Sequence, residues 1–289
     1  MAEKDITEKI LLSYADVFAD CINALLYDGR PRLTAENTQP APTESFYKHD
    51  KPHNQFCDAS RYLTEEGSIL LQFIIENETQ LEERQILRKV SYQAGSYRQQ
   101  LESGVPVYGV IPVVIAWTGK SSRIPASLHT LLLKNGVPSV ELQRIDDAKL
   151  TIYHMNNLPP ETRQHFTSDM GFVADYLNEG SFEERKGQKI LHLEALCDMM
   201  EAVTGDTRFS EQAIQLLKHK QEGEPIMMCE YIDMLEARGE EKGEARLSKL
   251  LTKLYELGRD DDAKLAVRDI DARDEFYREF FIPNNVYPH

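Results

Sequence analysis

The sequence predicts a mixed α/β fold, a sheet of mixed strand direction flanked by helices. Three observations carry that prediction. Lys4–Tyr27 and Leu81–Leu101 repeat apolar residues at helical spacing, whereas Ser68–Thr79 and Val105–Ala116 are short, β-branched-rich apolar runs that suit buried strands. Those segments alternate as helix, strand hairpin, helix, strand, the order of a sheet with helices on its faces.

Taken in order, Ile10, Leu11, Tyr14, Val17, Phe18, Cys21, Ile22, Leu25 and Leu26 give the first helix one broad apolar face, and Asp28-Gly29 ends it. Asp16, Asp20 and Asn23 fall on or beside the polar side and read as a solvated face. Pro31–Asn54 is rich in Pro, Thr, Asn and Glu and reads as a long loop with one short extended piece at most. His49 and His53 belong to that loop. Gln55–Leu63 reads as a strand carrying Asp58, and Glu65-Glu66-Gly67 as the turn into Ser68–Thr79. A connection that short makes the two strands antiparallel neighbours and brings Asp58 and Glu76 to one end of the sheet.

In the second helix, Ile86, Val90, Ala94, Tyr97 and Leu101 form the expected core stripe, with Arg88, Tyr92, Ser96 and Gln99 opposite. Beyond the strand at Val105–Ala116, Lys149–Met155 suggests an edge strand. Pro159–Leu177, Gln188–Val203 and Phe209–Lys218 read as helices. From Glu224 the pattern is one long helix with a soft centre at Gly239-Glu240-Glu241-Lys242-Gly243. Leu247, Leu250, Leu254 and Leu257 then recur at heptad spacing, either as a coiled-coil seam or as a helix packed on its own domain.

Composition narrows the function classes. The chain has 289 residues, 41% of them hydrophobic, enough for one large domain or a domain with an appendage. Its net charge of −15 repels nucleic acid at long range, so a nucleic-acid substrate requires a local cation. Cys21, Cys57, Cys197 and Cys229 form no CxxC pair and read as reduced thiols of a cytoplasmic protein. The N-terminus is polar and charged, unlike a signal peptide, and no apolar run has the length of a membrane span.

Chemistry concentrates where the run Ile69–Ile75 gives way to Glu76-Asn77-Glu78. Side chains alternate along a strand, so Glu76 and Glu78 share a face. Two carboxylates at the end of a buried strand must be solvated, paired or bound to a cation. A strand that simply ends there, with both glutamates in water, is the alternative.

Asp58 on one strand, Glu76-Asn77-Glu78 on the next, and Leu87-Arg88-Lys89-Val90-Ser91-Tyr92 on the following helix resemble the PD-(D/E)XK nuclease fold. Within it they are most similar to the bacterial Rpn family of recombination-promoting, transposase-like nucleases. The similarity extends through Val105–Ala116, the Pro125–His129 segment and the polar stretch Arg238–Glu244. It implies a nuclease-like domain over residues 1–180 and a helical region over 181–289 with a coiled-coil helix. It implies a hydrolase that cuts phosphodiester bonds in double-stranded DNA with magnesium or manganese. Asp58 and Glu76, with the backbone carbonyl of Asn77, would be the metal ligands, and Arg88 and Tyr92 would belong to the catalytic set. A relative that has lost catalysis and serves as a DNA- or protein-binding scaffold is the alternative.

The chain departs from the family at Glu78, where members carry Lys or Gln. An ionised carboxylate donates no hydrogen bond. Glu78 would then act as a third metal ligand or a base, or mark lost catalysis, with Arg88 reaching over to replace the missing donor or pairing with a glutamate. By sequence alone, Glu78→Gln should preserve or raise cleavage, because it restores a donor and removes a charge. The leucine stripe adds the expectation of a homodimer through the C-terminal helix.

Overall fold

The computed structural model describes residues 9–48, 52–117, 124–219 and 225–281. The chain divides into two compact units, residues 1–228 and 229–289.

The first unit is built on a five-stranded mixed sheet flanked by helices. A short helical stretch, residues 9–13, precedes α1 (Ala15–Leu26), and the chain bends between them at Tyr14. The part of the expected helix before Lys9 lies outside the described residues. Strands β1 (Thr38–Pro40), β2 (Glu44–Lys48) and β3 (Pro52–Phe56) follow. Then come β4 (Ala59–Glu65), β5 (Ser68–Glu78), the helix α2 (Gln85–Ser103) and β6 (Gly109–Ala116). After the short helices α3 (Leu128–Lys134) and α4 (Ser139–Leu142) comes the edge strand β7 (Ile152–His154). The sheet order is β1-β4-β5-β6-β7. Its first three strands are antiparallel, and β5, β6 and β7 run parallel.

The β4–β5 hairpin is as expected. Glu65 pairs with Ser68, and the two residues between them, Glu66 and Gly67, both take positive φ (49° and 79°), as primed two-residue turns require. From β5 the chain crosses over through α2 into β6, the connection a parallel pair needs, in the register Leu71↔Gly109 to Glu78↔Ala116.

Several segments differ from their sequence reading. Pro31–Asn54 holds strands β1, β2 and part of β3 rather than a loop. β1 is secured by pairing with β4, and β2 and β3 by pairing with each other, partners that local composition does not reveal. Residues 49–51, with His49, lie outside the described residues. The expected strand Gln55–Leu63 is broken at Cys57-Asp58, so Asp58 occupies a bend ahead of β4. Of the polar residues of α1, Asp16 is partly exposed, but Asp20 and Asn23 are not solvated, because residues 17–25 are buried without a break. Asp20 accepts hydrogen bonds from the backbone N–H and hydroxyl groups of both Thr167 and Ser168 at 2.7–3.1 Å. Asn23 bridges the backbone of Leu33 at 2.7 and 2.9 Å.

The largest surprise is α2. Leu101, assigned to its core stripe, is 82% exposed, and Tyr97 is also on the surface. Ile86 of that stripe is fully buried and Val90 packs beside it, but the other buried positions are Gln85, Tyr92, Ser96 and Gln100. The sheet face beneath them presents Gln72, Glu76 and Glu78, and a polar helix face supplies partners that an apolar one could not.

The rest of the unit is helical. α5 (Pro160–Arg163) and α6 (Met170–Glu179) take the place of one expected helix, divided by the Thr167-Ser168 segment that Asp20 holds. A two-residue strand β8 (Lys189–Ile190) precedes α7 (Leu193–Thr204) and α8 (Arg208–His219), and pairs with β9 (Ile226–Met227).

The second unit is taken up mainly by α9 (Met228–Glu256), which starts at the last residue of the first unit, followed by α10 (Asp260–Arg268) and α11 (Ile270–Glu279). α9 runs for 29 residues straight through Gly239 and Gly243, although each interior glycine costs a helix about 1 kcal/mol. Its heptad leucines are not equivalent. Leu250 and Leu254 are fully buried against Ala263, Ala266 and Tyr277, whereas Leu257 is 61% exposed. The stripe is closed by the two helices that follow it, so the unit buries its own seam.

Leu254→Ala should therefore cost about 2–5 kcal/mol, the range for emptying a packed aliphatic site. Leu257→Ala should stay within about 0.5 kcal/mol, as exposed positions do. Urea unfolding of both variants checks this, and equal losses would mean that a partner covers the whole stripe.

Candidate functional site

Alternation along β5 sends Gln72, Ile74, Glu76 and Glu78 to the face covered by α2, and Phe73, Ile75 and Asn77 to the other. Contacts on both sides bear this out. The Asn77 Oδ1 accepts from the Trp117 indole at 3.1 Å on one side, while both glutamates meet Arg88 of α2 on the other.

Asp58 reaches the end of β5 from its bend. Its Oδ2 accepts the backbone N–H of Asn77 at 2.6 Å, and its Oδ1 pairs with Lys9 Nζ at 3.0 Å. The Asp58 N–H donates in turn to the Ile75 carbonyl at 3.3 Å. Asp58 is thus fixed beside the backbone of the residue that follows Glu76, close enough for its charge to be felt at the Glu76 carboxyl.

Glu76 is 2% exposed. Its Oε2 accepts from Arg88 Nη2 at 3.2 Å, the Tyr92 hydroxyl bonds to its carboxyl, and its Oε1 has no partner among the described residues. Burial pushes its pKa up to about 8. The charge of Asp58 adds to the rise, and the Tyr92 hydroxyl and the Arg88 guanidinium oppose it. Glu76 is therefore a carboxyl whose ionised form its surroundings disfavour.

Glu78 is held differently. Its Oε1 accepts from Gln85 Nε2 at 2.7 Å and from Arg88 Nη1 at 2.5 Å. Burial raises its pKa, and those two donors pull the other way. Arg88 spans both carboxylates and also donates to the Tyr92 hydroxyl at 3.5 Å. Burial alone would lower its pKa, but Tyr92, Glu78 and Glu76 together hold it above the ordinary guanidinium range. The Tyr92 phenol is raised by burial first and by Glu76 second. A cavity of ≈ 20 Å³, room for one water, lies beside Tyr92 and is lined by Cys57, Gln72 and Ser96 among others.

All the residues singled out in the sequence, Asp58, Glu76, Asn77, Glu78, Arg88 and Tyr92, thus meet at one end of the sheet. They do not all point to one ion. Among the described residues no group of three His, Cys, Asp or Glu side chains is placed to hold a metal, and Glu78 is turned to Gln85 and Arg88 rather than joining Asp58 and Glu76. Two carboxylates remain, one with a buried, partnerless oxygen. That set fits magnesium, which accepts one or two carboxylates and keeps several of its waters. Sequence reasoning missed Gln85 and Lys9. Gln85 sits three residues before Arg88 and so shares its helix face, a legible signal. Lys9 comes from a distant helix and left none.

Fold and site together define a mixed α/β protein with an acidic cluster at the end of a buried strand, bridged by one guanidinium. No family model, no curated protein and no solved structure matches the chain.

The raised Glu76 pKa predicts a pH dependence. The unfolded glutamate ionises near 4.5 and the folded one near 8, so between those values the folded state keeps a proton that the unfolded chain releases. Stability of the metal-free protein should fall as pH rises through that window and level off above it. Glu76→Gln should remove this part of the slope and be the more stable protein at pH 8. Thermal melts from pH 5 to 9 decide the matter, and parallel slopes in the two proteins would contradict it.

Proposed function

We propose that this protein is a magnesium-dependent DNA endonuclease of the PD-(D/E)XK type, similar to the Rpn nucleases, that hydrolyses phosphodiester bonds in duplex DNA. The observation that carries the reading is the buried, partnerless Oε1 of Glu76 beside the fixed carboxylate of Asp58. A buried acceptor without a donor is costly, and a cation there removes the cost.

Asp58 and Glu76 would hold the ion, with the Asn77 backbone carbonyl as a third ligand, since its side chain is engaged with Trp117. Magnesium or manganese, when bound, supplies charge neutralisation at the phosphate and a more acidic water. Tyr92 steadies the Glu76 carboxyl, and Arg88 presents positive charge to the phosphate. That local charge is what a molecule with a net charge of −15 needs in order to accept DNA.

One observation favours the second reading, a catalytically inactive scaffold that binds DNA or a protein. Arg88 already bridges both glutamates, so the cluster has an internal cation.

Plasmid nicking with and without magnesium separates the two. The endonuclease reading expects magnesium-dependent nicking that falls about a hundredfold or more in Asp58→Ala. Nicking that survives chelation, or that ignores Asp58→Ala, would sink it. Duplex binding without nicking would establish the scaffold.

A further inference from the structure

The position at which this chain departs from its family resemblance holds a carboxylate that α2 grips through one oxygen. Glu78 Oε1 takes two donors, Gln85 Nε2 and Arg88 Nη1. An oxygen so occupied is a poor ligand for a cation and a poor acceptor for the proton of an attacking water. Among the described residues, a buried carboxylate oxygen without a partner belongs to Glu76. The two glutamates, two residues apart on one face, therefore do different work.

The exposures point to what Glu78 does. Its side chain is 10% exposed and that of Glu76 is 3%, but that of Arg88 is 42%. A buried carboxylate thus tethers a guanidinium that faces partly outward. Arg88 rises from α2, and its long side chain has many rotamers to lose before it can be held in one place. Glu78 supplies the fixed anion that selects one of them. Gln85, one helical turn before Arg88, in turn fixes Glu78.

We infer that Glu78 is a positioning residue for Arg88, and that the donor absent from position 78, where members of the resembled family carry Lys or Gln, is supplied here from the helix. The acid at position 78 then accompanies a donor moved to the helix and not a donor lost. The catalytic part of the inference rests on the endonuclease reading, whereas the anchoring of Arg88 does not. The geometry also reverses the sequence-based expectation for Glu78→Gln. A neutral amide holds a guanidinium more weakly, so the variant should lose activity.

The test compares wild type with Glu78→Gln, Arg88→Gln, the double variant of those two, Asp58→Asn, and the exchange variant Glu78→Lys with Arg88→Gln. Nicking should fall about a hundredfold in Arg88→Gln, the loss typical of removing one charge-stabilising donor. It should fall about tenfold in Glu78→Gln, where one charge-assisted hydrogen bond is weakened. The exchange variant, with a donor returned to the strand, should recover at least about tenfold over Arg88→Gln. The rise in melting temperature caused by magnesium alone should persist in Glu78→Gln and vanish in Asp58→Asn. Loss of that rise in Glu78→Gln would make Glu78 a ligand and overturn the inference. So would an exchange variant no better than Arg88→Gln, or a Glu78→Gln variant faster than wild type. A wild type with neither nicking nor a magnesium shift would end the endonuclease reading instead. The anchoring is then decided by melting temperatures without metal. Losses in Glu78→Gln and Arg88→Gln that fail to add in the double variant sustain it, and losses that add overturn it.

Discussion

The first unit depends on a polar seam between α2 and the sheet. Glu78 meets Gln85 and Arg88, Glu76 meets Arg88, and Gln72 lies between Ser60 and Ser96. The seam continues past β5. Gln93 donates to the Val110 carbonyl, Tyr97 accepts the Val110 N–H, and Gln100 accepts the Tyr108 N–H. Apolar packing is tolerant of small slips, but hydrogen bonds are not. A helix that moved by one residue along β5 would leave several buried polar atoms without partners, each at a cost of about 1–3 kcal/mol. The seam therefore fixes how α2 sits, and with it where Arg88 and Tyr92 stand over the end of β5. The fold holds the site in place through the residues that make the site.

That seam also explains what the sequence could and could not reveal. Strands β5 and β6 are apolar runs with sharp ends, and the two-residue connection at Glu66-Gly67 declares the hairpin, so the centre of the sheet was legible. The face of α2 was not. Counting apolar residues at helical spacing picks Tyr97 and Leu101, because the count presumes an apolar partner surface. Ile86 and Val90 obey the count, but further along the helix the partner is Gln72 and the rule fails. α1 misled for a related reason. Asp20 and Asn23 look like surface residues until the backbone of Thr167, Ser168 and Leu33 is brought to them by the fold. β1, β2 and β3 stayed hidden because each is stabilised by a neighbour and carries little pattern of its own.

The site was more legible than the packing around it. Asp58, Glu76, Asn77, Arg88 and Tyr92 could be gathered because chain order and spacing relate them, through a hairpin and one helix. What spacing does not convey is direction at the level of single oxygens. Glu76 and Glu78 are indistinguishable as letters, and they differ only in which donors α2 brings to each. The leucines of α9 teach the same lesson in the second unit. Their spacing is that of a seam between chains, but α10 and α11 return to fill it, and only the burial of each leucine tells the two cases apart.

The carboxylate of Asp20 has a further consequence, for the order in which the chain assembles. Its partners lie 147 and 148 residues further along the chain, so the buried acid of α1 is left unsatisfied until Thr167 and Ser168 have been synthesised. The β4–β5 hairpin, α2 and β6 are near neighbours in sequence and close their contacts over short loops, at small cost in chain entropy. The sheet with its helix thus closes over short separations, whereas the buried acid of α1 depends on a segment far along the chain.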